Sequence, residues 1–156
     1  MAVQLTKEII DLLNNHESTK VLSTLDGDDF PHAAVKESLL AGEDGNVLYL
    51  EFLESSRTNK NLVRSIWFNK KVAIAVKGKQ GESYQIKGIP LKTHITGPLF
   101  QEHYNAVREK HGDVDLAAVW VIEPEEIIDE SFAKRRAEED AAHPVFLHLD
   151  RIARRG

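Results

Sequence analysis

The chain has 156 residues, 42% hydrophobic and 29% charged, which suits one domain with a real core and excludes a wholly disordered chain. It has no cysteine, so disulfides, thiolate nucleophiles, zinc–thiolate sites and iron–sulfur clusters are excluded. Twenty Lys and Arg stand against 25 Asp and Glu, a net charge of −5 that argues against a nucleic-acid partner.

The apolar run 116–122 is the longest and falls far short of the about 20 residues of a membrane span, so no membrane association is expected. The first residues place no basic stretch ahead of an apolar one. No secretory signal is expected, and a cytoplasmic location is.

Leu5, Ile9, Leu12 and Leu13 recur at helical spacing behind Thr6, a residue suited to an N-cap. Residues 20–26 alternate as a strand and end in Asp26-Gly27-Asp28-Asp29, a turn. Residues 30–41 read as a second strand, with Pro31 tolerable at its start. Asp44-Gly45 marks a hairpin into a third strand over 47–53. A polar stretch then leads to a short helix over 61–68, and Trp67 falls in its apolar pattern as a core residue. A fourth strand covers 72–76. After a glycine-containing loop, a long strand over 83–96 carries Gly88 and Pro90, which predict a bend or bulge.

Pro98 suits the first turn of a helix that runs to about 110. A sixth strand, 116–122, contains Trp120 and stops at Glu123-Pro124. Strands joined by hairpins imply antiparallel pairing, and six of them imply a small closed barrel with flanking helices. The chain divides into a barrel domain, 1–128, and a charged C-terminal extension, 129–156. That extension holds a helical stretch around 134–140 and an apolar patch over 145–152, suited either to docking on a partner subunit or to packing on its own barrel.

Ser55-Ser56-Arg57-Thr58-Asn59-Lys60-Asn61-Leu62 lies between a buried strand and a helix. A helix start offers free N–H groups and the positive end of its dipole. Hydroxyls from Ser55, Ser56 and Thr58, a bidentate Arg57 and the charge of Lys60 add what a terminal phosphate requires. The same pattern also describes an N-capped helix with solvated charges. The seven histidines form no metal-ligand spacing, and no nucleophile elbow, Walker loop or dinucleotide fingerprint is present.

The order of elements over 20–122 resembles the FMN-binding split barrel family. That family includes pyridoxamine 5′-phosphate oxidase-like proteins and the small FMN-binding proteins of sulfate-reducing bacteria. The matching segments are Phe30-Pro31-His32-Ala33-Ala34-Val35, Asp44-Gly45-Asn46, Leu48-Tyr49-Leu50, and Ser56 through Leu62. Asn69-Lys70-Lys71-Val72-Ala73, Gln85-Ile86-Lys87-Gly88 and Gly97-Pro98 complete the set.

The resemblance implies a mainly β fold, a six-stranded antiparallel split barrel, acting as a homodimer with one FMN per subunit at the interface. Ser56, Arg57, Thr58 and Asn61 belong to the segment that would hold the phosphate. Val35, Lys36 and Glu37 would line the flavin, as would Glu51 and Phe52, and Gln85 would contact it from the long strand. Thr58 replaces the lysine of the oxidase branch and agrees with the small FMN-binding proteins. The oxidase branch also carries a C-terminal Trp and Arg-rich motif, which this chain only echoes in its last arginines.

The implied activity is that of a flavin-dependent oxidoreductase or electron carrier with a small-molecule or protein redox partner. The alternative is a non-catalytic binding or sensing protein that holds flavin or haem on the same barrel.

Overall fold

A computed structural model describes residues 2–143 of the chain. The apolar patch 145–152 lies outside the described residues. Thr6 caps α1 (Lys7–Asn14), its hydroxyl accepting the Ile9 N–H at 3.3 Å, and α1 buries Ile9, Leu12 and Leu13. The strands are β1 (Thr19–Leu25), β2 (Pro31–Val35), β3 (Leu39–Ala41), β4 (Val47–Glu51), β5 (Val72–Lys77), β6 (Ser83–His94) and β7 (Ala118–Asp129). The remaining helices are α2 (Arg57–Phe68), α3 (Pro98–His111) and α4 (Phe132–Ala142). All seven strands form one antiparallel sheet in the order β2-β1-β5-β6-β7-β4-β3.

The edges of that sheet, β2 and β3, are neighbours in sequence, so three residues must span from one edge to the other. Only a curled sheet permits this. The Lys36 N–H extends the first ladder by bonding Lys20 O at 2.8 Å, while Leu50 N–H bonds Ser38 O at 3.2 Å and extends the last. The Ser38 hydroxyl adds a 2.7 Å bond to Leu50 O. The barrel wall thus closes across Glu37 alone. This divides the single strand expected over 30–41, and it explains seven strands in place of six. The break is a turn at Glu37 and Ser38, where the Leu39 N–H donates to Lys36 O at 3.4 Å.

The sixth strand also differs from expectation. It runs on through Pro124 to Asp129 as β7. β4 pairs with β7 only as far as Ile122, so the next residues have one unpaired side, where a missing N–H costs little. Gly88 faces Pro124 at a shift of register between β6 and β7. A Cβ on Gly88 would lie 2.6 Å from Glu123 O, so the strands approach there because residue 88 has no side chain.

Alternation sends Leu22, Ile74, Ile86, Tyr49 and Trp120 inward to a core that α1 and Leu62 of α2 complete. Leu48, Leu50, Val119 and Val121 face outward and are covered by α3 through Val107. The helix expected over 61–68 starts four residues earlier, at Arg57, and ends at Asn69 in the left-handed conformation (φ 53°). Trp67 is not core: 78% of its surface is exposed on the outer side of α2, away from buried Thr58, Asn61, Leu62 and Ser65. Among the described residues no helix is long and apolar enough to cross a membrane.

Candidate functional site

The start of α2 is built around Asn59. Its backbone N–H donates to the Ser56 hydroxyl at 2.9 Å, its side-chain amide donates to Glu54 O at 2.9 Å, and its carbonyl oxygen accepts the Trp120 indole N–H at 2.8 Å. The loop 54–56 is thereby held to the helix and to the barrel core. The amides of Arg57 and Thr58 are first-turn donors that no helical carbonyl reaches. Arg57 and Lys60 are exposed and make no ion pair among the described residues. Arg57 and Arg64 lie near Asp26, whose carboxyl is held below its ordinary range first by the Phe30 and Asp28 amides and less by these arginines.

Thr58 and Asn61 turn the other way. Thr58 is buried, and the Asn61 side chain donates to the Thr24 hydroxyl at 3.0 Å. Their work in the described chain is to fasten α2 to the barrel end. Ser56 and Arg57 are the expected phosphate-segment residues that reach the surface.

Glu51 is 2% exposed, yet both its oxygens are engaged, one by the Tyr49 hydroxyl at 2.5 Å and the other by Leu53 N–H at 3.0 Å. Burial is the first cause that pushes the Tyr49 hydroxyl above its ordinary pKa, followed by its bond to Glu51. Lys36 and Glu37 diverge at the barrel closure. The Lys36 ammonium lies 5.6 Å from the centre of the Tyr49 ring, while Glu37 lines a cleft on the α3 side. Phe52 lines that same cleft.

Strand register places the last two expected residues. Val35 pairs with Val21, Val21 with Ala75, and Ala75 with Gln85, so the four form one row across the outer face of β2-β1-β5-β6. The next row is Ala33, Ser23, Ala73 and Lys87. α3 covers only the other half of the barrel wall, and Val35 is 64% exposed. Gln85 therefore stands on a broad, uncovered face of small residues, three strands from Val35 within one chain.

The cleft itself is a feature that sequence reasoning missed. Its volume is about 640 Å³, and it lies between α1, α3 and the barrel closure. Lys20, only 3% exposed, reaches it from β1 and donates to Leu13 O and Leu39 O, both at 2.9 Å. Burial lowers the Lys20 pKa, partly opposed by Glu37. The signal was present: Lys20 is in phase with Leu22 and Thr24, and so points inward. His16, His103 and His111, unrelated by spacing, also line the cleft.

No family model matches the chain and no curated protein matches it in sequence. Solved structures do. HupZ of Group A Streptococcus is 22% identical, with a TM-score of 0.68 over 83% of this chain and 96% of that one. An FMN-binding protein from Syntrophomonas wolfei is 18% identical, with a TM-score of 0.63 over 79% of this chain and 84% of its own. HutZ, the haem storage protein from Vibrio cholerae, is 13% identical, with a TM-score of 0.55 over 81% and 95%. The curled antiparallel sheet, its helical caps and these likenesses together show that the chain has the split-barrel fold of these proteins.

Proposed function

We propose that the protein binds FMN as a homodimer and serves as a flavin-dependent oxidoreductase or electron carrier. The observation that carries this reading is the start of α2. There an exposed Arg57 without an ion pair among the described residues, two first-turn amides and the Ser56 hydroxyl are held in place by Asn59. Ser56 and Arg57 hold the phosphate, with Thr58 contributing its backbone amide. Val35, Lys36 and Glu51 lie along the ring. The row shared by Val35 and Gln85 supports the dimer, because a second copy packed on that face brings its own Gln85 towards the ring.

Flavin supplies the redox chemistry when bound; the chain orients it and sets its electrostatics. Titration of FMN and riboflavin into wild type and Arg57→Ala tests the assignment. FMN should lose about 1.5–3 kcal/mol and riboflavin little. Equal loss for both removes Arg57 from phosphate binding. The dimer should bury about 1,000 Å² or more, and light scattering that finds a flavin-loaded monomer overturns it.

A second reading, haem in place of flavin, is favoured by the likeness to HutZ. The absorbance spectrum separates the two: flavin bands near about 370 and 450 nm, or a Soret band.

A further inference from the structure

The cleft between α1, α3 and the barrel closure combines two features that a plain structural lysine does not need. Its wall is apolar on the outer side of β3 and β4, where Leu40, Leu50 and Phe52 face Val107 of α3. Its floor holds a nearly buried ammonium, Lys20, with two of three N–H groups committed to Leu13 O and Leu39 O. The third has no acceptor among the described residues, and Lys20 faces the cleft. A buried donor left unmatched is costly. Lys110 stands on the rim, close enough to oppose the charge on Lys20.

We propose that this cleft is a binding site for an amphipathic monocarboxylate, its carboxylate held by Lys20 and Lys110 and its hydrocarbon body laid along Leu40, Leu50, Phe52 and Val107.

The charges favour one negative charge over two. Lys20 and Lys110 give two positive charges, and Glu37 on the same rim subtracts one. A carboxylate matches the remainder, whereas a phosphate dianion meets Glu37 with an excess. His16, His103 and His111 also line the cleft. A cleft of about 640 Å³ falls within the usual range for small-molecule sites. The site does not depend on flavin, since Lys20, Lys110, Leu40 and Val107 lie outside the phosphate segment.

Calorimetric titration with decanoate, below its micelle concentration, tests the proposal on the full chain, both as FMN-free and FMN-saturated protein. Decanoate should bind once per chain. Decanol and decyltrimethylammonium should bind about tenfold more weakly or worse, because they lack the charge that Lys20 accepts. Lys110→Glu should weaken decanoate by about tenfold. Ala106→Trp, on the exposed cleft-facing side of α3, should abolish binding by filling the space. Lys20→Met is the direct variant but removes two structural bonds, so the surface variants carry the test and melting curves confirm their fold. Three results overturn the proposal: no saturable binding of decanoate, equal affinity for the alcohol or the cation, or affinity indifferent to both surface variants. One-for-one displacement of decanoate by FMN, abolished by Arg57→Ala, would show that decanoate had merely entered a flavin site, and also overturns it. Loss of FMN binding alone bears on the proposed function and leaves the cleft standing.

Discussion

The Trp120 indole N–H donates to the Asn59 side chain at 2.8 Å, joining the middle of the barrel core to the first turn of α2. Trp120 is 1% exposed, so this donor has no recourse to water. Asn59→Ala should cost about 1–3 kcal/mol, the penalty for an orphaned buried donor. Trp120→Phe also removes ring packing, so the single variants do not isolate the bond. A double-mutant cycle followed by urea unfolding does, and a coupling of about 1 kcal/mol is expected. Additive single effects would show that the pair contributes nothing jointly.

Gly88→Ala sets a Cβ 2.6 Å from the Glu123 carbonyl oxygen, and both groups belong to paired backbone that cannot swing aside. The bulge between β6 and β7 must widen, at a cost of about 1–3 kcal/mol, typical of a forced backbone shift. Calorimetry should report a melting point lower by at least about 2 °C. An unchanged melting point would mean that the bulge absorbs a methyl group freely.

Tyr84 predicts an alkaline limb to stability. Its hydroxyl donates to Glu8 at 2.6 Å, and that bond is the main cause of a pKa pushed up to about 12, with burial second. The unfolded chain releases this proton near about 10 while the folded chain retains it. Stability from the group is thus complete below about 10 and is lost as the pH rises towards about 12. Denaturant unfolding of wild type and Tyr84→Phe between pH 8 and pH 11.5 (about 1 unit steps, with the variant as reference) should give curves that converge on the alkaline side. Tyr49, raised in the same direction, titrates in both proteins and cancels. The difference at neutral pH should stay below about 1 kcal/mol, because the Tyr84–Glu8 bond is exposed.

Lys36→Met bears on the proposed redox role. Reduction adds negative charge to the flavin, which an ammonium beside the ring favours. The variant should lower the midpoint potential and leave FMN affinity within about twofold, since phosphate binding is unaltered. Spectroelectrochemical titration at one pH and salt concentration decides it. A potential that holds still or rises removes Lys36 from the mechanism.

What the chain reveals by pattern and what it withholds divide along the range of the interactions. Thr6, Pro98 and the glycine of the 44–46 turn are local signals, and each marks its element correctly. The bulge expected at Gly88 and Pro90 is likewise present. The break between β2 and β3 is not a local event. It follows from the two ends of a curled sheet meeting, and within residues 30–41 only the polar run Lys36-Glu37-Ser38 coincides with it. β7 passes through Pro124 because β4 has ended beside it, which depends on another strand's length.

Within the candidate site, Ser56 and Arg57 are legible as a helix start. The inward turn of Thr58 and Asn61 depends on where α2 meets Thr24. Trp67 fits the helical period as well as Leu62 does, but α2 carries a second apolar stripe facing outward. The cleft brings together residues from 13 to 111, a span no motif covers.

The one-residue closure at Glu37 also governs how the wall can come apart. An open seven-stranded sheet frays at either edge independently. Here β2 and β3 are tethered through three residues, a reach of about 10 Å. Releasing β2 from β1 slackens the Lys36–Lys20 bond and, through Glu37, pulls on Ser38 and Leu50 across the gap. The two edges therefore open as one unit, and amide exchange at Val35 and at Leu39 should share a single opening free energy.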